Sequence, residues 1–242
     1  MKKYLLWAAG LYFLYRTLSS AKASDGFVVP PEWMINADGY KIYTINGESL
    51  ATGSWFNTSQ KNVLKWAEKA MEWGVAMGMD PALVMGCIYS ESAGNENAMR
   101  WEAAIGESSY GLMQPLWSTA QEVLGWLKAE GYIPSSFTLT PTLLVNPNLN
   151  IMIGTRYLVK QYLRYSGNFG KDRVMAMFAA YNAGTARKNV AGQYVNSVGN
   201  TRVNDYAIKC INAAQRFRFY LNNLYPAYLT MFPKEKWLYS GT

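Results

Sequence analysis

From residue 57 onward the chain is laid out as helices separated by short breaks, and no other feature narrows the possible folds as far. Val63, Trp66, Ala67, Ala70, Met71 and Trp73 recur at the spacing of one helical face. Asn57, Thr58 and Ser59 offer caps ahead of them, and Gly78 offers a stop. Asp80-Pro81 then opens a second helix, with Asp as cap and Pro in the first turn, that fades at Ala93-Gly94. Ser118 with Gln121 three residues on has the form of a capping box, predicting a helix over 118–128. Asn146-Pro147 opens another, to residue 164. Further helices are predicted over 171–181 and 203–224. Such a run of helices and short loops predicts a mainly α domain over residues 57–224.

The flanks read differently. Met1-Lys2-Lys3 is basic, the stretch to Tyr15 is apolar, and Arg16 follows. This is the pattern of a signal segment, with Ala21-Lys22-Ala23 as a cleavage site, or of an apolar anchor helix with Arg16 snorkelling to the interface. Residues 1–23 are therefore expected to be a membrane anchor or signal segment. Residues 24–56 read as a linker broken by Pro30-Pro31. A small hairpin is expected in it: Tyr40–Ile45 is β-prone, and Asn46-Gly47 is a two-residue turn signal. Residues 225–242 form an aromatic extension (Tyr225, Tyr228, Phe232, Trp237, Tyr239), expected to pack on the domain or to dock a partner protein.

Composition removes several chemistries. The chain contains no histidine, which excludes Ser-His-Asp and Cys-His catalysis and histidine-based zinc sites. Its two cysteines, Cys87 and Cys210, lie in apolar helical stretches and read as buried thiols. No metal-ligand spacing and no phosphate-cradling glycine loop is present, so neither metal nor cofactor is expected. The net charge of +7 suits an anionic partner such as a cell-wall polymer or lipid headgroups. No Lys/Arg block exceeds two residues, so no specific nucleic-acid partner is expected.

Chemistry then falls to Glu, Asp, Ser, Tyr and Asn. In Tyr89-Ser90-Glu91-Ser92-Ala93-Gly94, Glu91 sits at the C-terminal end of an apolar helix. Desolvation and the negative helix end both disfavour its charge, so its pKa is expected to rise to where a general acid works. In Ser108-Ser109-Tyr110-Gly111-Leu112-Met113-Gln114, the glycine permits close backbone approach and Gln114 both donates and accepts. Ala179-Ala180-Tyr181-Asn182-Ala183-Gly184 presents a hydroxyl and an amide at a helix end. Taken singly, the three stretches read equally as a solvated glutamate, a turn and a helix stop.

Taken together, Glu-Ser after a Pro-initiated helix, then Gly-Leu-Met-Gln, then Ala-Tyr-Asn-Ala-Gly, resemble the soluble lytic transglycosylase family, whose fold is lysozyme-like. Val145-Asn146-Pro147 through Gly154 and Tyr157, and Asp205-Tyr206-Ala207, extend the resemblance over residues 57–221. It implies that Glu91 is the sole catalytic acid/base. Glu91 would protonate the bridging oxygen between N-acetylmuramic acid and N-acetylglucosamine. It would then deprotonate the muramic C6 hydroxyl, which closes a 1,6-anhydro ring. Ser92 would orient the acid or touch substrate, and Met113 and Gln114 would line the groove. Tyr181 would polarise Glu91, Asn182 would contact sugar, and Tyr206 would lie close to the same acid.

One stretch departs from the family pattern. Met99-Arg100-Trp101-Glu102 stands where a small Ser/Gly-rich turn is usual, and Trp101 is expected to stack on a sugar face. Two-carboxylate glycosidases place a second acid 5–9.5 Å away. Glu96, Glu102 or Glu107 in that role would make the chain a muramidase instead, and a third alternative is a wall-binding module without activity. The resemblance implies peptidoglycan as partner, at the periplasmic face of the inner membrane or in a virion, with proteins of a virion or secretion complex as further partners.

Overall fold

The computed structural model describes residues 33–35, 41–45, 48–49, 56–168, 170–225 and 227–232. Residues 1–23, read as an anchor or signal, lie outside them, as do Trp237 and Tyr239. Among the described residues no helix is long and apolar enough to cross a membrane. The expected hairpin is present as β2 (Lys41–Ile45) paired antiparallel with β3 (Glu48–Ser49), with Ile45 opposite Glu48. A strand not foreseen from sequence, β1 (Trp33–Ile35), adds to the other edge of β2.

The domain itself is helical: α1 (Thr58–Leu64), α2 (Ala67–Met77), α3 (Pro81–Ser92), α4 (Trp117–Ala129), α5 (Pro141–Leu144), α6 (Pro147–Arg164), α7 (Gly170–Ala183), α8 (Arg202–Leu224) and α9 (Tyr228–Met231). Two short hairpins interrupt them, β4 (Met99–Glu102) with β5 (Glu107–Tyr110) and β6 (Arg187–Lys188) with β7 (Tyr194–Val195).

Helix α3 is the centre. Asp80 caps it by accepting from Ala82 N at 2.9 Å, and Pro81 occupies the first turn. Every residue from Pro81 to Ile88 is buried, so the helix is apolar all round and needs neighbours on all sides. Burying Leu83, Val84 and Ile88 contributes about 2 kcal/mol each. Helix α8 supplies the closest neighbour. A Cβ on Gly86 would stand 2.4 Å from Cys210 O, so glycine is what lets the two helices touch. Both cysteines are free and buried. One apolar core joins α1, α2, α3, α7 and α8, and a second lies between α4, α5 and α6.

Three expectations change. The single helix expected over 57–78 is two, because the chain turns at Lys65-Trp66 and Trp66 Nε1 donates to Gly94 O at 3.0 Å. The capping box at Ser118 does not form. Glu107 accepts from both Ser118 N (2.8 Å) and Ser118 Oγ (2.7 Å), and the helix starts one residue earlier with Leu116 at the cap. The segment 99–110, for which no strand was expected, is the β4–β5 hairpin. The aromatic extension packs on the domain as far as it is described, with Tyr225 and Tyr228 buried. Tyr228 donates to Asp80 Oδ1 at 2.5 Å, and Arg218 Nη1 meets Asp80 Oδ2 at 2.7 Å.

Candidate active site

Helix α3 ends where Ala93 (φ 53°) and Gly94 (φ 82°) turn left-handed, and Glu91 sits in that last turn. The turn is held from two sides. Ser92 Oγ donates to Leu112 O at 2.7 Å and accepts from Gly94 N at 3.2 Å. A Cβ at Gly94 would meet Asn62 C at 2.7 Å, so only glycine lets α1 pass this close. Ser92 thus positions the acid through the backbone.

Glu91 lines a cavity of about 580 Å³ together with Asn95, Asn97, Arg100, Gln114 and Lys209. Burial pushes its carboxyl up from the ordinary value to about 7. Partly opposing this are the Tyr206 hydrogen bond and then the charges of Arg100 and Lys209, while the Glu102 charge adds to the rise. Tyr206, in the first turns of α8, donates to Glu91 Oε1 at 2.6 Å. Its own hydroxyl is pushed well up by burial, so it stays a donor. The Cys87 sulfur lies 3.7 Å from the same hydroxyl. Burial keeps that thiol protonated, and Tyr206's proton is committed to Glu91, so the thiol donates.

Of the 111–114 segment, Gln114 reaches the cavity wall, and the rest packs behind it. Gly111 (φ 71°) approaches Asn150 so closely that a Cβ would stand 2.5 Å from Asn150 Nδ2. Asn150 is fully buried on α6. It accepts from Met113 N at 2.8 Å and donates to Tyr110 O at 2.8 Å and Leu144 O at 2.9 Å. Gln114 has φ 47°, a left-handed conformation costing about 1–3 kcal/mol for a non-glycine residue. Three bonds hold it there: its Oε1 accepts from Ser109 Oγ (2.8 Å), and its Nε2 donates to Gly111 O (2.7 Å) and Ala98 O (2.9 Å).

The site therefore differs from expectation at Met113 and Tyr181. Met113 does not line the cavity. It is fully buried, with its side chain against Gly154, where a Cβ would stand 2.4 Å from the sulfur. Tyr181 is not the hydrogen-bond partner of Glu91. Its hydroxyl donates to Met113 O at 2.7 Å, and Tyr206 holds the acid instead. Asn182, the next residue round α7, is exposed and is not among the cavity-lining residues. Trp101, 63% exposed on β4, also stands outside the cavity lining. Sequence reasoning gave no role to Arg100 and Lys209, cations whose charges act on Glu91. Lys209 was within reach, lying one helical turn from Tyr206 on α8.

The other candidate acids are engaged elsewhere. Glu102 pairs with Arg100, Glu107 is bonded to Ser118, and Glu96 is not in the cavity wall. Among the described residues no cluster of three or more acidic or thiol ligands could hold a metal.

Residues 68–204 match the transglycosylase SLT domain family. The membrane-bound lytic murein transglycosylase C of two strains of Histophilus somni is 33% identical over 162 residues, which cover 66% of this chain. The aligned part spans 38% of those relatives' length. A 70-kDa soluble lytic transglycosylase in complex with bulgecin A shares the fold, with TM-score 0.52, 21% identity, and coverage of 74% of this chain and 28% of that one. The structure of the Escherichia coli 70-kDa enzyme gives TM-score 0.51, 20% identity, and coverage of 74% and 30%. The family match takes in more than half of the chain, including the Glu91 helix end, the 111–114 segment and Tyr181. The chain belongs to the transglycosylase SLT domain family.

Proposed function

We propose that the chain is a lytic transglycosylase that cleaves the β-1,4 bond between N-acetylmuramic acid and N-acetylglucosamine in peptidoglycan, leaving a 1,6-anhydro-muramic end. The observation that carries this reading is that Glu91, with its pKa near 7, is the one carboxylate among the described residues in the wall of its cavity. Two-carboxylate hydrolysis needs a second acid to hold a nucleophile or a water. Cleavage with a single acid needs the substrate to bring its own nucleophile, and the muramic C6 hydroxyl is one.

In this scheme protonated Glu91 donates to the bridging oxygen as the C1–O bond breaks, and the N-acetylglucosamine hydroxyl leaves. Glu91, now a carboxylate stabilised by Tyr206, Arg100 and Lys209, takes the proton from the C6 hydroxyl as its oxygen bonds to C1. Atoms balance without water, and the acid returns to its starting form. Both partners of the ring closure belong to one sugar, so the attack is intramolecular and favoured by proximity. Asn95 and Asn97 supply amides to the sugar substituents, while Gln114, whose amide hydrogens are both held by backbone carbonyls, shapes the wall. Trp101 offers an exposed ring for a sugar farther along the strand, on the hairpin that replaces the family's short turn.

The relatives' name, membrane-bound, and the basic-then-apolar segment of residues 1–16 favour work at the periplasmic face of a membrane. Local wall opening for a virion or an envelope-spanning channel fits that place, and fractionation of the intact protein tests it. The activity is tested by digesting purified sacculi and weighing the fragments. Anhydro-muramic ends are expected, with turnover abolished in Glu91→Gln and KM raised severalfold, without loss of kcat, in Trp101→Ala. Ordinary reducing ends would make the chain a muramidase.

A further inference from the structure

Cys87 is fully buried on α3, and the reaction assigned to Glu91 makes no use of it. It stands one helical turn before Glu91, so the two side chains share a face of α3. Tyr206 and Cys210 stand one turn apart on α8 in the same way. The two rows meet at the Tyr206 hydroxyl. It donates to Glu91 Oε1 at 2.6 Å, and the Cys87 sulfur lies 3.7 Å from it. Burial, and then the Glu91 charge, push the Cys87 thiol well above its ordinary range, so it keeps its proton wherever Glu91 titrates. A phenol hydroxyl has one proton to give and two lone pairs to receive with. The Tyr206 proton goes to Glu91, which leaves its oxygen open to the thiol.

A phenol proton can swing about its C–O bond. A donor seated on the oxygen occupies a lone pair, leaves the proton facing Glu91 and polarises the O–H bond, so that each bond in the chain strengthens the next. We propose that Cys87 is a positioning residue for the acid: its thiol donates to the Tyr206 oxygen and so holds the Tyr206 proton on Glu91. This rests on Glu91 being the acid of the proposed reaction, and it adds a residue that acts through Tyr206 alone. The other groups around the acid bear on it differently. Lys209 from α8, and Arg100 and Glu102 from β4, act on Glu91 by charge. Cys210 on α8 and Tyr181 on α7 feel the charge of Glu91 in their own titration. The Tyr181 proton goes to Met113 O at 2.7 Å. Among the described residues, Tyr206 alone reaches the carboxyl by a hydrogen bond.

The test reads the pKa of Glu91 in the full chain from the carbon-13 titration of its carboxyl, and the alkaline limb of the pH–rate profile beside it. Cys87→Ala and Cys87→Val both remove the donor; alanine leaves a void and valine fills it. Each is expected to raise the pKa, and to move the limb upward, by about 0.3 pH unit, as a roughly 20% weakening of the Tyr206–Glu91 bond implies. A role in packing alone gives another pattern. The void in Cys87→Ala would admit water and lower the pKa, and Cys87→Val would leave it in place. Either variant alone therefore decides the sign. In the Tyr206→Phe background neither substitution is expected to add a further shift, because the chain is already cut. A fall in Cys87→Ala, an unmoved pKa in Cys87→Val, or a shift that persists without the Tyr206 hydroxyl would overturn the proposal. Retained turnover in Glu91→Gln would instead sink the catalytic reading, and the titration would still judge the hold of Cys87 on Tyr206.

Discussion

Tyr206 and Glu91 meet hydroxyl to carboxyl at 2.6 Å across the seam between α8 and α3. The bond favours the ionised acid and so holds its pKa below where burial alone would set it. Tyr206→Phe removes the donor, and the pKa of Glu91 then rises above about 7. An acid that works in its protonated form stays active to higher pH. The alkaline limb of the pH–rate profile is therefore expected to move upward by about one pH unit or more, since a hydrogen bond to a charged group contributes about 1.5–3 kcal/mol. A limb that stays put or moves down would show that Tyr206 does not act on the acid.

Glu91 also carries a stability consequence. Its folded pKa of about 7 lies above the ordinary 4.5, so the folded state disfavours the charge. Below pH 4.5 the carboxyl is neutral in both states and nothing is lost. Between pH 4.5 and about 7 the unfolded chain releases this proton while the folded protein keeps it, so a penalty builds over that window to about 3 kcal/mol above pH 7. Glu91→Gln, a permanently neutral mimic, is expected to be more stable than wild type at pH 8 and equal to it near pH 4. Thermal unfolding at the two pH values checks this, and equal Tm values at pH 8 would contradict the burial of the acid.

The ion pair between Asp80 and Arg218 is almost wholly buried, with side chains 2% and 6% exposed. It ties the first turn of α3 to α8, and Tyr228 and Phe232 O join it from the C-terminal segment. Removing one member leaves the other charge stranded. Arg218→Met is expected to cost about 3–5 kcal/mol in urea unfolding, whereas Lys69→Met, in an exposed helical pair with Glu72, should cost under about 1 kcal/mol. Similar losses from the two variants would refute the distinction.

Local chemistry made much of the fold legible. Asp80-Pro81 and Asn146-Pro147 mark helix starts by their own caps, and the structure begins α3 and α6 there. The rise in Glu91's pKa follows from the apolar run before it and was readable for the same reason. What stayed hidden was set by distant partners. Nothing near Trp66 announces the break between α1 and α2, because the bond that goes with it comes from Gly94 O. Ser118 has the sequence of a cap but gives its groups to Glu107, eleven residues back. The β4–β5 hairpin mixes Arg, Trp and Glu on an exposed surface, so no buried face imposed an alternation. Tyr206 was expected close to Glu91 and is, but that it rather than Tyr181 holds the acid was not legible, because only the packing of α8 decides which hydroxyl reaches it.

Gly86 has a consequence that reaches beyond packing. By letting two helices come into contact, it sets the spacing between proton donor and acceptor while the protein folds, before any strand arrives. No ordering of those groups is then left for the moment of bond breaking. Damage along that contact, such as Gly86→Ala, would leave strand affinity intact and slow each turnover, the signature of a machine knocked out of alignment rather than emptied of its parts.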